Sequence, residues 1–208
     1  MNYQKPMDIE KRSFEIIAKE LGDIELNPLE EPIIKRVIHT TADFDYLKNL
    51  YFSPGAVERA LNTLKAGCVI VTDTQMARSG INKGALQKSG SETICFMSDE
   101  EVAEEAKARG ITRAAVSMER AVKIQKPLIF AAGNAPTALL TLARLMEEGK
   151  VEPKLIIGVP VGFVNVVESK EAIINSGAPC IVARGRKGGS NVAAAIVNAL
   201  LYMAFPRE

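Results

Sequence analysis

One histidine, no tryptophan, three cysteines and almost no net charge: each shortage in this chain narrows what it can do. The lone histidine, His39, leaves a single imidazole for proton transfer near neutral pH. One histidine with three scattered cysteines is a poor basis for a zinc site, which needs a tetrahedral set of such ligands. Cys68, Cys95 and Cys180 are odd in number, far apart, and each lies in or beside an apolar run. They read as buried thiols in a reducing cytoplasm, not as a disulfide framework. Aromatic residues are 5% of the chain, too few for a platform that stacks the bases of single-stranded nucleic acid. A formal net charge of +1 provides no broad field for DNA, RNA or an anionic membrane. No apolar run is long enough to span a bilayer. The opening residues 1–6 have no apolar core, so no signal peptide is expected there.

Motifs are missing too. No G-x-G-x-x-G follows the first strand-like run, which weakens a dinucleotide site. No G-x-x-x-x-G-K-[ST] occurs, against a P-loop NTPase, and no G-x-S-x-G elbow accompanies the histidine, against a Ser–His hydrolase.

What is present is rhythm. A chain of 208 residues suits one domain, 1–208, with a substantial core. From Gly67 onward, short apolar runs at 68–71, 93–96, 128–131, 155–158 and 180–183 alternate with helical segments. The runs are continuous, not alternating, so both faces of each should be buried, as in a parallel sheet. This predicts an α/β fold: a three-layer α/β/α domain with a mainly parallel, Rossmann-like sheet. Helices are expected over about 6–21, from 28 through His39, over 54–65, from about 99, over 136–146 and over 191–203. Asn27, Ser53 and Ser98 are the expected caps, with Pro28 and Pro54 at first helical positions and Ser98 and Glu101 forming a capping box. Residues 45–52 alternate weakly and read as an edge strand.

His39 falls in the last turn of its helix, with Arg36 three residues back on the same face. Polar, glycine-rich loops follow the strands at 72–84, 133–137, 158–165 and 184–191, where open parallel sheets bind ligands. Arg78, Lys83, Arg184, Arg186 and Lys187 lie in them. Each loop alone is explained by the needs of turning the chain. Four on one edge favour a ligand bearing several carboxylates or phosphates. The residues thus outline an enzyme with one acid–base histidine and a wide anionic-ligand cradle.

Five segments together resemble the precorrin-8X methylmutase family of cobalamin biosynthesis: EKRSF at 10–14, RVIH at 36–39, GNAPTAL at 133–139, GVPVGFV running on to ESK at 158–170, and RGRKGGS at 184–190. They cover nearly the whole chain in the family's order. The resemblance implies an isomerase that moves a methyl group between neighbouring ring carbons of precorrin-8 or cobalt-precorrin-8 to give hydrogenobyrinic or cobyrinic acid. It implies no cofactor of the enzyme's own, any cobalt being part of the substrate, and a homodimer with no nucleic-acid or membrane partner. It makes His39 the catalytic acid, protonating a ring nitrogen or pyrrolic position. Ser13, Arg36, Asn82, Lys83, Arg113, Asn134 and Arg186 become the substrate-binding residues. Asn82 stands where a family member has threonine. Three other readings compete: a corrinoid carrier without catalysis, which has little need of an acid; a Rossmann-like nucleotide-binding enzyme, which a nucleotide thermal-shift screen separates; and a structural α/β domain, against which stands the density of glycine and asparagine at the strand ends.

Overall fold

The structure, a computed structural model, describes residues 6–206; the opening segment 1–5, read above for a signal peptide, lies outside the described residues. Helices α1 (Pro6–Leu21), α2 (Glu31–Thr41) and α3 (Tyr46–Asn49) lead into strand β1 (Leu50–Phe52). Then come α4 (Ala56–Ala66), β2 (Val69–Thr72), α5 (Gln75–Gly80), α6 (Lys83–Lys88) and β3 (Glu92–Ile94). After a 3₁₀ turn at Phe96–Ser98 follow α7 (Glu100–Arg109), α8 (Arg113–Ala121) and β4 (Leu128–Ala132). The chain closes with α9 (Pro136–Glu147), β5 (Leu155–Gly158), α10 (Val166–Asn175), β6 (Cys180–Ala183) and α11 (Ser190–Ala204). None of the helices among the described residues is long and apolar enough to cross a membrane.

The strands form one six-stranded sheet in the order β1-β6-β5-β4-β2-β3. All neighbours are parallel except β1, which runs antiparallel to β6 with Leu50 opposite Ala183. Every residue of β2, β4, β5 and β6 is buried, as continuous apolar runs require. Alternate side chains feed two cores. Ile70, Ile129, Ile157 and Ile181 pack with α2, α4 and α11 on one face. Val71, Phe130, Ile156 and Val182 pack with α8, α9 and α10 on the other. The three layers follow.

Local chemistry moved several boundaries. Helix α2 starts at Glu31, not at Pro28, because a start at Pro28 would set Pro32 inside the helix, where its ring clashes and its missing N–H breaks the ladder. Asn27 instead closes a separate turn, its Oδ1 accepting from the Leu29 N–H at 2.9 Å. The 45–52 segment is divided: Asp43 Oδ1 accepts from the Asp45 N–H at 2.9 Å, the short helix α3 follows, and only Leu50–Phe52 pairs as a strand. Ser53 does not cap α4; Gly55, at φ +70°, precedes that helix, and the Ser53 hydroxyl accepts from the Cys180 N–H at 2.8 Å. The Ser98 capping box does not form, since Asp99 is the cap residue and Gln75 Nε2 donates to the Ser98 hydroxyl at 3.2 Å.

The five parallel strands, taken by themselves, have the 2-1-3-4-5 order of flavodoxin-like sheets, whose ligand crevice opens where the order reverses. Here that point lies between β2 and β4, and the chain fills it itself. Asp73, the residue after β2, is 1% exposed. Its carboxylate accepts from the backbone N–H groups of Gly133 at 2.8 Å, Asn134 at 2.7 Å and Ala135 at 2.6 Å. Burial pushes the Asp73 pKa up, and the N–H donors pull against that. The loop after β6 then crosses the strand ends to reach α11. Gly189 donates its N–H to the Val159 carbonyl at 2.9 Å, and the Thr74 and Ser190 hydroxyls meet at 2.7 Å. A Cβ on Gly133 would come within 2.7 Å of Ser190 Cα and 2.8 Å of the Gly189 carbonyl oxygen, so glycine is the only residue that fits there.

Two stability predictions follow from this packing. Asp73→Asn turns an NH₂ toward N–H donors and should lower the unfolding free energy by about 1–3 kcal/mol. Gly133→Ala forces backbone away from backbone and should cost about 1–3 kcal/mol, both read from the urea midpoint at constant slope.

Candidate active site

Helices α1 and α2 lie against each other, and their polar residues interlock at helical spacing. On α1, Glu10, Ser13, Phe14 and Ile17 share the face turned to α2; on α2, Arg36 and His39 share the face turned back. Arg36 Nη1 donates to Glu10 at 3.0 Å. Its guanidinium also lies between two rings, 5.2 Å from the centroid of Phe14 and 4.7 Å from that of Tyr202. Phe14 in turn stacks on the His39 imidazole, with centroids 5.2 Å apart and planes inclined by 20°. The Ser13 hydroxyl lies 2.8 Å from His39 Nδ1. The imidazole is therefore held on one face and at one nitrogen, while the residue stays exposed and Nε2 remains for a ligand.

Beside His39 opens a groove of about 490 Å³. Its walls are mostly apolar, from Ile9, Ile16, Ile17, Ile38 and Phe44, with Arg12, Ser13 and Glu20 adding polar groups. Ile9 is 56% and Ile16 44% exposed, so α1 shows an apolar stripe to this opening as well as to the core. An apolar groove with a few convergent polar groups is the usual form of a small-molecule site.

The chain after His39 is tied to the carboxyl edge of the sheet. Ala42 ends α2 in the left-handed region at φ +53°, its N–H donating to the Ile38 carbonyl at 2.7 Å. Asp43 and Asp45 both receive Lys187 Nζ at 2.6 Å. Lys187 draws the Asp43 carboxyl below its ordinary range, and the two carboxylates hold the Lys187 ammonium above its own. Arg184 donates its N–H to the Asn49 carbonyl at 2.8 Å, which continues the β1–β6 pairing. The same loop is fastened from below by Lys170. That side chain is fully buried and donates to the carbonyls of Gly185 at 2.7 Å and Lys187 at 2.9 Å. Burial depresses the Lys170 pKa to about 8.

The remaining predicted residues fall in different places. Arg186, in the tied loop, lies 5.3 Å from the Phe163 ring centroid, and Phe163 is 81% exposed. Asn134 sits in the turn held by Asp73, with its side chain at the surface. Arg113 opens α8 and is exposed; Thr112, its cap, donates to the Thr137 hydroxyl at 2.9 Å, which sets Arg113 beside the start of α9. These three share the carboxyl edge. Asn82 and Lys83 do not: Asn82 caps α6, its Oδ1 accepting from the Ala85 N–H at 2.9 Å, and its own N–H donates to Asn198 on the flank of α11. Ser13 and Arg36 both meet the His39 cluster, but Arg36 is committed to Glu10 and the two rings. Sequence reasoning gave no role to Glu10, Phe14, Asp73, Lys170 or the Asp43–Asp45 pair. A signal existed for three of them: Lys170 follows Ser169 on the buried face of a helix, and Glu10 and Phe14, one helix turn apart, lie on either side of Ser13 in the sequence.

Known proteins are similar to this chain over nearly its whole length. A family model described as precorrin-8X methylmutase matches residues 8–203. The cobalt-precorrin-8 methylmutase of Salmonella typhimurium is 50% identical over 209 residues, covering 97% of this chain and 98% of the relative. The precorrin-8X methylmutase of Pseudomonas aeruginosa is 37% identical over 194 residues, covering 92% and 93%. The crystal structure of precorrin-8x methyl mutase from Thermus thermophilus superposes with a TM-score of 0.86 at 40% identity, over 94% of this chain and 96% of that one. On sequence and on fold alike, the chain belongs to the precorrin-8X methylmutase family.

Proposed function

We propose that this chain is an isomerase of cobalamin biosynthesis which moves a methyl group between adjacent ring carbons of (cobalt-)precorrin-8, with His39 as the general acid. The observation that carries the reading is the single imidazole, bonded to Ser13 and stacked on Phe14, at the mouth of the apolar α1–α2 groove. In its protonated form His39 donates from Nδ1 to the Ser13 hydroxyl and presents Nε2–H to the substrate. Proton delivery to a ring nitrogen or pyrrolic position draws electron density from the ring and lowers the barrier to migration. The methyl leaves one carbon and bonds to the next, the proton is released afterwards, and no atom is gained or lost. The groove holds the macrocycle by its face, while Arg186, Arg113 and Asn134 at the sheet edge meet peripheral carboxylates. Asn82 and Lys83 serve carboxylates farther along the flank of α11, and Arg36 acts by keeping Glu10, Phe14 and His39 in register. Ser13 contacts the acid first and the substrate second.

The reading requires no metal or redox cofactor of the enzyme's own; cobalt arrives inside the substrate. It also takes the working form to be a homodimer in the reducing cytoplasm, in keeping with three buried, unpaired cysteines. A nucleotide-binding role fits less well, because Asp73 already occupies the N–H groups at the switch point where a phosphate would sit.

The test uses purified protein, precursor and the corrinoid product. His39→Ala should lower turnover by ~10²–10⁴-fold while still shifting the visible bands of bound cobyrinic acid. Full turnover by that variant, or no spectral shift with wild type, would refute the assignment. Ser13→Ala should lower kcat by roughly 3–10-fold with KM nearly unchanged, since it removes one hydrogen bond from the acid and leaves the groove intact.

A further inference from the structure

Building on the proposed reaction, we propose that Lys187 is a positioning residue, which latches the His39 end of α2 onto the loop laid across the strand ends. The geometry is unusual for a surface ion pair. One ammonium sits between two carboxylates, Asp43 and Asp45, at 2.6 Å each, joining segments more than 140 residues apart. Both aspartates lie in the turn that leaves α2, four and six residues beyond His39. The loop end of the latch is itself immobilised, because the buried Lys170 ammonium holds the Gly185 and Lys187 carbonyls. An exposed ion pair adds little to stability by itself. Its value here is in geometry: Arg186, the neighbour of Lys187, belongs to the edge that meets carboxylates, and the latch fixes that edge relative to the acid. Misplacing a reacting group by about 1 Å can cost ~10²-fold in rate without loss of binding.

Lys187→Met and the double variant Asp43→Asn/Asp45→Asn remove the latch from either side, and Lys187→Arg keeps its charge. Three readouts separate the outcomes. Because His39 is the only histidine, its Cε1–H gives one NMR line, which needs no substrate. Single-turnover conversion of cobalt-precorrin-8 gives the rate constant, and the visible spectrum gives cobyrinic acid affinity. We expect the His39 line to move in Lys187→Met and in the double variant, and to stay near wild type in Lys187→Arg. We expect the rate constant to fall roughly 10–100-fold in the first two, with product affinity within about threefold of wild type. Combining all three substitutions should cost no more than either side alone. An unmoved His39 line in Lys187→Met overturns the latch. A lost product affinity with an unchanged rate constant also overturns it, making Lys187 a direct carboxylate contact. A wild type that does not turn over, with a His39 line that still moves in Lys187→Met, refutes the reaction and supports the latch.

Discussion

Everything at the carboxyl edge of this sheet depends on backbone passing over backbone with no side chain between. Gly188 lies so close to the Val159 carbonyl that a Cβ would run into it, and Gly133 stands in the same relation to Ser190. With those contacts in place, the loop after β6 can lie flat across the strand ends and deliver α11 to the centre of one face. Without them, the loop would bow outward, and the Lys187 contact to the turn after α2 would be out of reach. The cost of ordering so much glycine is offset by hydrogen bonds to backbone groups, from Asp73 below one turn and from Lys170 below the other.

This arrangement separates two jobs that α/β proteins often combine. The crevice at the topological switch point usually receives the ligand. Here it is closed by the chain's own carboxylate, and a separate groove opens to the side, between α1 and α2. That side combines exposed isoleucines with an imidazole stacked on Phe14. Membership of the precorrin-8X methylmutase family and the layout of the groove rest on different observations.

Much of the fold was legible because it is written in continuous apolar runs and in helix signals near them. The five parallel strands fall on the five runs, and α9 and α11 fall within a residue of their expected limits. Errors occurred where a residue had two competing uses. Asn27, Ser53 and Ser98 all have the chemistry of a cap, but each spends its side chain on another partner. Such competition is decided by neighbours in space, and Ser53 answers to Cys180, 127 residues away.

The sequence by itself determined that only one imidazole could act, that the sheet would be parallel and buried, and that the family motifs stood in order along the chain. Those are properties of composition and short periodicity, which adjacent residues specify. It could not tell which glycine-rich loops serve a ligand and which serve each other, because that depends on which strand ends become neighbours. Tertiary structure alone decided that Asp73 fills the switch point, that Phe14 and Ser13 hold His39, and that Lys187 joins α2 to the loop after β6. Each of these is a contact between segments far apart in sequence, set by the strand order and the close approach of helices.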